Sequence, residues 1–262
     1  MNVALMIEGQ EGVTWPQWVA LARAAEEARL DALFRSDHYR SIGRGDPNGS
    51  LDAWGTICAL ATITSTIRLG TLVSPVTFRS ASVLAKLATT ADHISNGRVE
   101  LGIGAGWFES EHKAYGFDFM TPRRRLDELD RQLAEITRQW IHADDIWPKP
   151  IQEPRPRLIV GGTAKPRTVR AAVGHADEYN TFAPTVAEAR ERRQILDAAA
   201  AKAGREPLTF SIMIELKGDA DELEEQLRAY ADVGVERVML QHFAHEDVEM
   251  VAVLGDVAES LR

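Results

Sequence analysis

The chain has 262 residues, 45% of them hydrophobic, with a formal net charge of −9 and a single cysteine. That hydrophobic share excludes a disordered chain, and the acidic balance argues against a nucleic-acid binder, which needs a basic face. One cysteine excludes an internal disulfide, no apolar run has transmembrane length, and "MNVALMIEGQEG" lacks the features of a signal peptide, so a cytoplasmic protein is expected.

Short β-rich runs alternate with longer amphipathic ones. Residues 3–7 predict a strand and 15–29 a helix; 32–35 a strand and 51–64 a helix. Cys58 falls in the apolar run "WGTICALAT" of that helix and reads as a buried structural thiol. In "RLGTLVSPVTF" residues 68–73 predict a strand that Ser74-Pro75 should end, because proline cannot donate to a ladder. The residues past that point, Val76 to Phe78, are still apolar. A helix over 81–94 follows, then a strand over 99–104 and a helix over 123–140. The proline-rich piece 143–157 reads as irregular surface chain. Further strands are expected at 158–161, 178–182, 208–215 and 237–240, with helices at 166–173, 186–203, 221–233 and 246–261.

The punctuation agrees. Thr185 with Glu188 and Asp219 with Glu222 have capping-box spacing. Pro122 and Pro166 fit first helical turns, and Gly174 and Gly234 fit helix ends. Eight strand-then-helix units predict one closed (β/α)8 TIM barrel over residues 1–262. A doubly wound open sheet is the alternative, but the first connection, "EGQEGVTW", lacks its opening glycine-rich turn.

In a barrel, ligands bind at the C-terminal strand ends. There the chain places Glu8, Asp37-His38 in "RSDHY", "GIGAGWFESE", "VGGTAKPR", "EYNTFAP" and His242 in "LQHF". Asp37-His38 suits proton work, histidine being the group that donates or accepts near neutral pH. The alternative is a capping aspartate beside a core histidine. Gly104 and Gly106 read either as a strand-end turn or as bare backbone for a flat ligand. Gly161, Gly162 and Thr163 precede a helix beginning near Pro166, where N–H groups and the helix dipole favour phosphate, with Lys165 and Arg167 adding charge. A tight turn is the alternative. His93, His142 and His175 read as structural, and no histidine pair has metal-ligand spacing. With no protein-borne redox or nucleophilic group in evidence, a cofactor is expected.

These residues resemble the bacterial luciferase-like family of flavin and deazaflavin oxidoreductases. The resemblance rests on "FRSDHY", "IRLGTLVSPVTFRSASVLAKLATTADHISNGRVELGIGAGWFESEHKAYGFDF" and "PRPRLIVGGTAKPRTVRAAVGHADEYN". Within it, "SDH" and the W-F-E-S-E continuation look like the branch that uses coenzyme F420. The resemblance implies a barrel holding the ring at its strand C-termini. It implies a bulge with a non-prolyl cis peptide at Leu72-Val73, adjacent to Thr71, under that ring. His38 is implied in proton transfer, Asp37 in a ring hydrogen bond, and Gly161-Gly162 at the phosphate. The candidate substrate walls are Tyr39, Trp107, Phe108, Phe182 and His242. A sugar-phosphate substrate is not expected, because "HYRSIGRGD" and Trp107 depart from the dehydrogenases that use one. The expected activity is hydride transfer between F420 and a small organic substrate. An FMN-dependent monooxygenase and a non-catalytic barrel subunit are the alternatives, and a homodimer fits the resemblance.

Overall fold

Strands buried on both faces need a layer of helices outside and a packed interior inside, which is what a closed parallel sheet provides. The computed structural model describes residues 1–43 and 49–262. Among these, eight parallel strands close in sequence order: β1 (Asn2–Ile7), β2 (Ala32–Arg35), β3 (Arg68–Pro75), β4 (Val99–Gly104), β5 (Arg157–Gly161), β6 (Glu178–Phe182), β7 (Thr209–Glu215) and β8 (Arg237–Gln241), with β8 paired back to β1. The expected (β/α)8 barrel is therefore the fold. Outside it run α1 (Trp15–Glu27), α2 (Ala53–Ile63), α3 (Ala81–Ser95), α4 (Glu109–Tyr115), α5 (Pro122–Thr137), α6 (Pro166–His175), α7 (Val186–Lys202), α8 (Ala220–Ala231) and α9 (Glu249–Ser260). No described helix is long and apolar enough to cross a membrane.

Two cores result. Residues such as Leu5, Trp18, Leu33, Trp54 and Leu240 fill the layer between sheet and helices. Ala4, Met6, Ala32, Phe34, Leu72, Ile159 and Met239 fill the barrel interior. The caps behave as their spacing requires. Thr185 Oγ1 accepts from Glu188 N at 3.2 Å while Glu188 accepts from Thr185 N at 2.7 Å. Asp219 accepts from Glu222 N at 3.0 Å. Gly174 does not stop its helix: α6 continues to His175, because Gly174 lacks the positive φ by which a glycine ends a helix.

Strand β3 carries the bulge and the cis peptide that the resemblance implies, but it does not end at Val73: it runs on to Pro75. Thr71 faces Leu101 of β4 and Ser74 faces Ile103, so β3 carries one extra residue across this interval and bulges. The Leu72-Val73 peptide within the bulge is cis. Proline is tolerated at 75 because Val76 N already bonds Gly104 O on the β4 side, while β2 pairs only as far as Thr71 on the other. Two glycines of β4 make room for the bulge. A Cβ at Gly102 would lie 2.1 Å from Thr71 O, and one at Gly104 would lie 2.5 Å from Val73 Cγ2. Gly102→Ala drives a methyl into backbone and is expected to lower stability by about 3 kcal/mol, read as a reduced urea midpoint at unchanged m-value.

The N-terminal face of the barrel is closed by charge. Arg237, 3% exposed, bonds Glu100 Oε2 at 2.7 Å, Glu178 Oε2 at 3.2 Å and Asp31 Oδ2 at 2.5 Å. Arg68 pairs with Glu100, and Arg157 with Glu178 at 2.9 Å. The Arg237 guanidinium lies over Phe34, 4.9 Å from the ring centroid, joining this layer to the apolar interior above.

Candidate functional site

At the opposite, C-terminal face the strand ends surround a cavity of about 850 Å³. Its shelf is the bulge: Leu72 and Val73 both line it. Gly161 lies beside the shelf, where an added Cβ would meet Val73 Cγ1 at an unstrained 3.5 Å. The protein therefore does not force glycine at 161, and a side chain there would take up cavity space.

His38 lines the same cavity at the end of β2. Its Nδ1 is 2.9 Å from Glu111 Oε2, and Glu111 is fully buried. The other Glu111 oxygen accepts from Tyr39 N and, at 3.1 Å, from Arg40 N. A carboxylate opposite Nδ1 requires the proton on Nδ1, so the neutral ring offers the Nε2 lone pair to the cavity. Glu111 comes from α4, a helix of seven residues. That is too short to show helical periodicity, which is why the sequence reading passed over it.

Asp37 does not line the cavity. Its carboxylate accepts from Ser74 Oγ at 2.6 Å and from Arg79 Nη1 at 2.6 Å. Arg79 also bonds Asp52 Oδ2 at 2.8 Å and Tyr39 OH at 3.1 Å. Trp54 Nε1 donates to Ser74 Oγ at 3.1 Å. Asp37 thus ties the chain just past the bulge to β2. Thr71 is wholly buried and bonds Gly102 O at 3.0 Å. Tyr39 packs among Phe78, Tyr115 and Phe117 beside the cavity rather than on its wall. The desolvation that comes with this packing, with Arg79 acting against it, pushes the Tyr39 phenol up. Phe108 packs against Trp107, tilted by 35° with ring centroids 5.3 Å apart, and does not line the cavity.

Trp107, 60% exposed, and Phe182, 57% exposed, line the mouth. Gly106 lines it with φ +76°, and its missing Cβ leaves room for Thr77 Oγ1. His242 lies in an adjoining polar recess of about 590 Å³, with Nε2 2.9 Å from Asp247 O. Gly161, Gly162 and Thr163 all line the main cavity. Gly162 leaves room for Tyr179 OH, to which Ala164 N donates at 2.9 Å. Lys165 is exposed at the N-terminus of α6. Arg167 does not add charge there: it is turned to α5, pairing with Asp127. Cys58 is half-buried rather than buried, and desolvation pushes its thiol up, away from reactivity. Among the described residues, no group of His, Cys, Asp or Glu is arranged to hold a metal ion.

A model of the family described as luciferase-like monooxygenase matches residues 3–259. The chain belongs to that family. An uncharacterised protein of Mycobacterium tuberculosis is 28% identical over 230 residues, spanning 83% of this chain and 76% of that one. Among solved structures, an F420-dependent secondary alcohol dehydrogenase in complex with an F420-acetone adduct superposes with a TM-score of 0.85 at 16% identity, over 100% of this chain and 99% of the other. The FMN complex of the oxygenating constituent of 3,6-diketocamphane monooxygenase from Pseudomonas putida superposes at 0.80 and 14%, over 98% of each. At those identities the likeness is one of fold. Membership makes the chain a luciferase-like oxidoreductase or monooxygenase, and such a barrel places the cavity, His38 and the bulge on its ligand-binding face.

On the cavity's β1 side Glu8, in sequence only a strand end, is held by two amides: Gln241 Nε2 donates to its Oε1 at 2.6 Å and Gln10 Nε2 to its Oε2 at 2.8 Å. Gln10 in turn accepts from Ser36 Oγ, which accepts from Gly9 N at 3.1 Å. These partners come from three strand ends, and no local pattern announces them.

Proposed function

We propose that this protein is an F420-dependent oxidoreductase that moves a hydride between the deazaflavin and a small organic substrate. The observation that carries this reading is His38 on the cavity wall, its Nδ1 held by buried Glu111 so that Nε2 is the ring nitrogen left for proton transfer. The cavity fits a flat tricyclic group: Leu72 and Val73 form an apolar shelf, and Gly161 leaves bare backbone beside it. Gly162, Thr163 and Lys165, ahead of α6, would hold the phosphate of the tail. When bound, F420 supplies hydride exchange at its ring. The chain's own part is to seat the ring, to take or return the substrate proton at His38 Nε2, and to present the substrate between Trp107 and Phe182.

The fold-level likeness to an FMN enzyme supports a second reading, a monooxygenase using reduced FMN. Absorbance titration of the protein with each cofactor decides between them. Saturable F420 binding with weak or absent FMN binding is expected, and tight FMN binding with F420 ignored overturns the proposal.

Glu111→Gln gives a sharper check on His38. Tyr39 N and Arg40 N both need an acceptor at one Glu111 oxygen. Glutamine must keep its carbonyl there and turn its NH₂ toward His38 Nδ1. That moves the imidazole proton to Nε2. Nitrogen-15 NMR should report the changed tautomer, with F420 binding retained and turnover down roughly 10²-fold.

A further inference from the structure

The β1, β6 and β8 side of the cavity is rich in hydrogen-bond acceptors. Gln241, buried at the end of β8, gives one amide N–H to Glu8, and its carbonyl oxygen has no donor among the described residues at the cavity it lines. Asn180, 4% exposed on β6, donates Nδ2 to Ser211 Oγ at 3.0 Å and to Met239 Sδ at 3.4 Å. Its Oδ1 has no protein donor and belongs to the same lining. The Gln10 amide is turned to Glu8 and its carbonyl to Ser36. His38 presents a lone pair. Among the described residues that line the cavity there is no lysine or arginine, and the lining carboxylate Glu215 already faces Lys217 at 2.8 Å.

Acceptors that face open cavity space without a protein donor are free to meet a ligand that supplies one. The Glu8 carboxylate, steadied by two amides, adds a preference for positive charge. We infer that the substrate carries an organic ammonium or similar N–H-rich cationic group on an apolar body, with the cation at Glu8, Asn180 and Gln241 and the body toward Trp107 and Phe182. A carboxylate or phosphate substrate would meet the same oxygens as repulsion. The inference rests on reading this cavity as the reaction chamber of the proposed oxidoreductase.

The probes are 4-phenylbutylammonium and 4-phenylbutanoate, equal in body and opposite in charge, titrated calorimetrically into the full chain with and without F420. The ammonium should bind at least about tenfold tighter, the ratio expected for one charged hydrogen bond. Glu8→Gln should reduce that ratio to about twofold or less. Equal or tighter binding of the carboxylate, binding of neither probe, or a ratio that survives in a folded Glu8→Gln protein overturns the inference. Should that variant not fold, the wild-type ratio alone decides. Ammonium preference without F420 binding would sink the cofactor proposal and leave this one standing, whereas F420 binding without the preference would do the reverse.

Discussion

His38→Ala is expected to leave F420 binding nearly intact while lowering turnover by roughly 10²- to 10⁴-fold, the range that a positioned acid or base contributes. The separation of the two effects follows from where the ring is held. Its contacts are Glu111 at Nδ1 and the edges of Trp107 and Phe108, with ring centroids at 6.1 and 6.2 Å. None of these is the Leu72-Val73 shelf or the Gly161–Thr163 segment. Glu111 keeps its bonds to Tyr39 N and Arg40 N when the imidazole is gone, so the chain after β2 stays in place. What disappears is the Nε2 lone pair. Single-turnover cofactor reduction, followed by absorbance beside an equilibrium titration, separates the two quantities. Turnover within about threefold of wild type would remove His38 from the chemistry.

The alternation of strands and helices was legible because each strand of a closed parallel sheet is a continuous buried run and each helix is amphipathic. The C-terminal strand ends therefore came out of the sequence with the right residues on them. The bulge in β3 was implied by the family resemblance and not by the residues alone: Ser74-Pro75 has the local character of a strand end, and only pairing with Ile103 and Gly104 carries the strand past it. The glycines of "GIGAG" look like a ligand cradle by themselves. Two of them line the cavity and are also answers to side chains elsewhere, Gly104 to Val73 and Gly106 to Thr77. Glu111 and Arg167 show the same limit. Glu111 meets a histidine 73 positions earlier, and Arg167 meets an aspartate 40 positions earlier. No spacing rule reaches that far, so which charges face the cavity and which face a neighbouring helix is a property of the folded chain.

Arg237→Met should be the most damaging single change to stability, at about 3–5 kcal/mol, because it strips the shared cation from buried carboxylates. Burial opposes ionisation of both Glu100 and Glu178. At Glu100 the pull of Arg237 and Arg68 exceeds that opposition, and its pKa falls below the ordinary carboxylate value. At Glu178 burial prevails over Arg237, with Glu100 adding repulsion, and its pKa rises. In the wild type the Glu100 contribution is therefore present above the ordinary carboxylate range and lost as pH falls through its lowered value. The Glu178 contribution runs the other way, present at low pH and lost as pH rises through its raised value. Arg68 and Arg157 are partly exposed and hold one carboxylate each from outside, so they cannot replace the central cation. Without Arg237 both acids favour the protonated form. The penalty should then be largest near about pH 7.5 and shrink toward about pH 5, as the two carboxylates take up protons. Urea unfolding of wild type and variant at both pH values measures it. A penalty that is the same at both would mean that Arg237 stabilises the barrel through packing on Phe34 and not through charge.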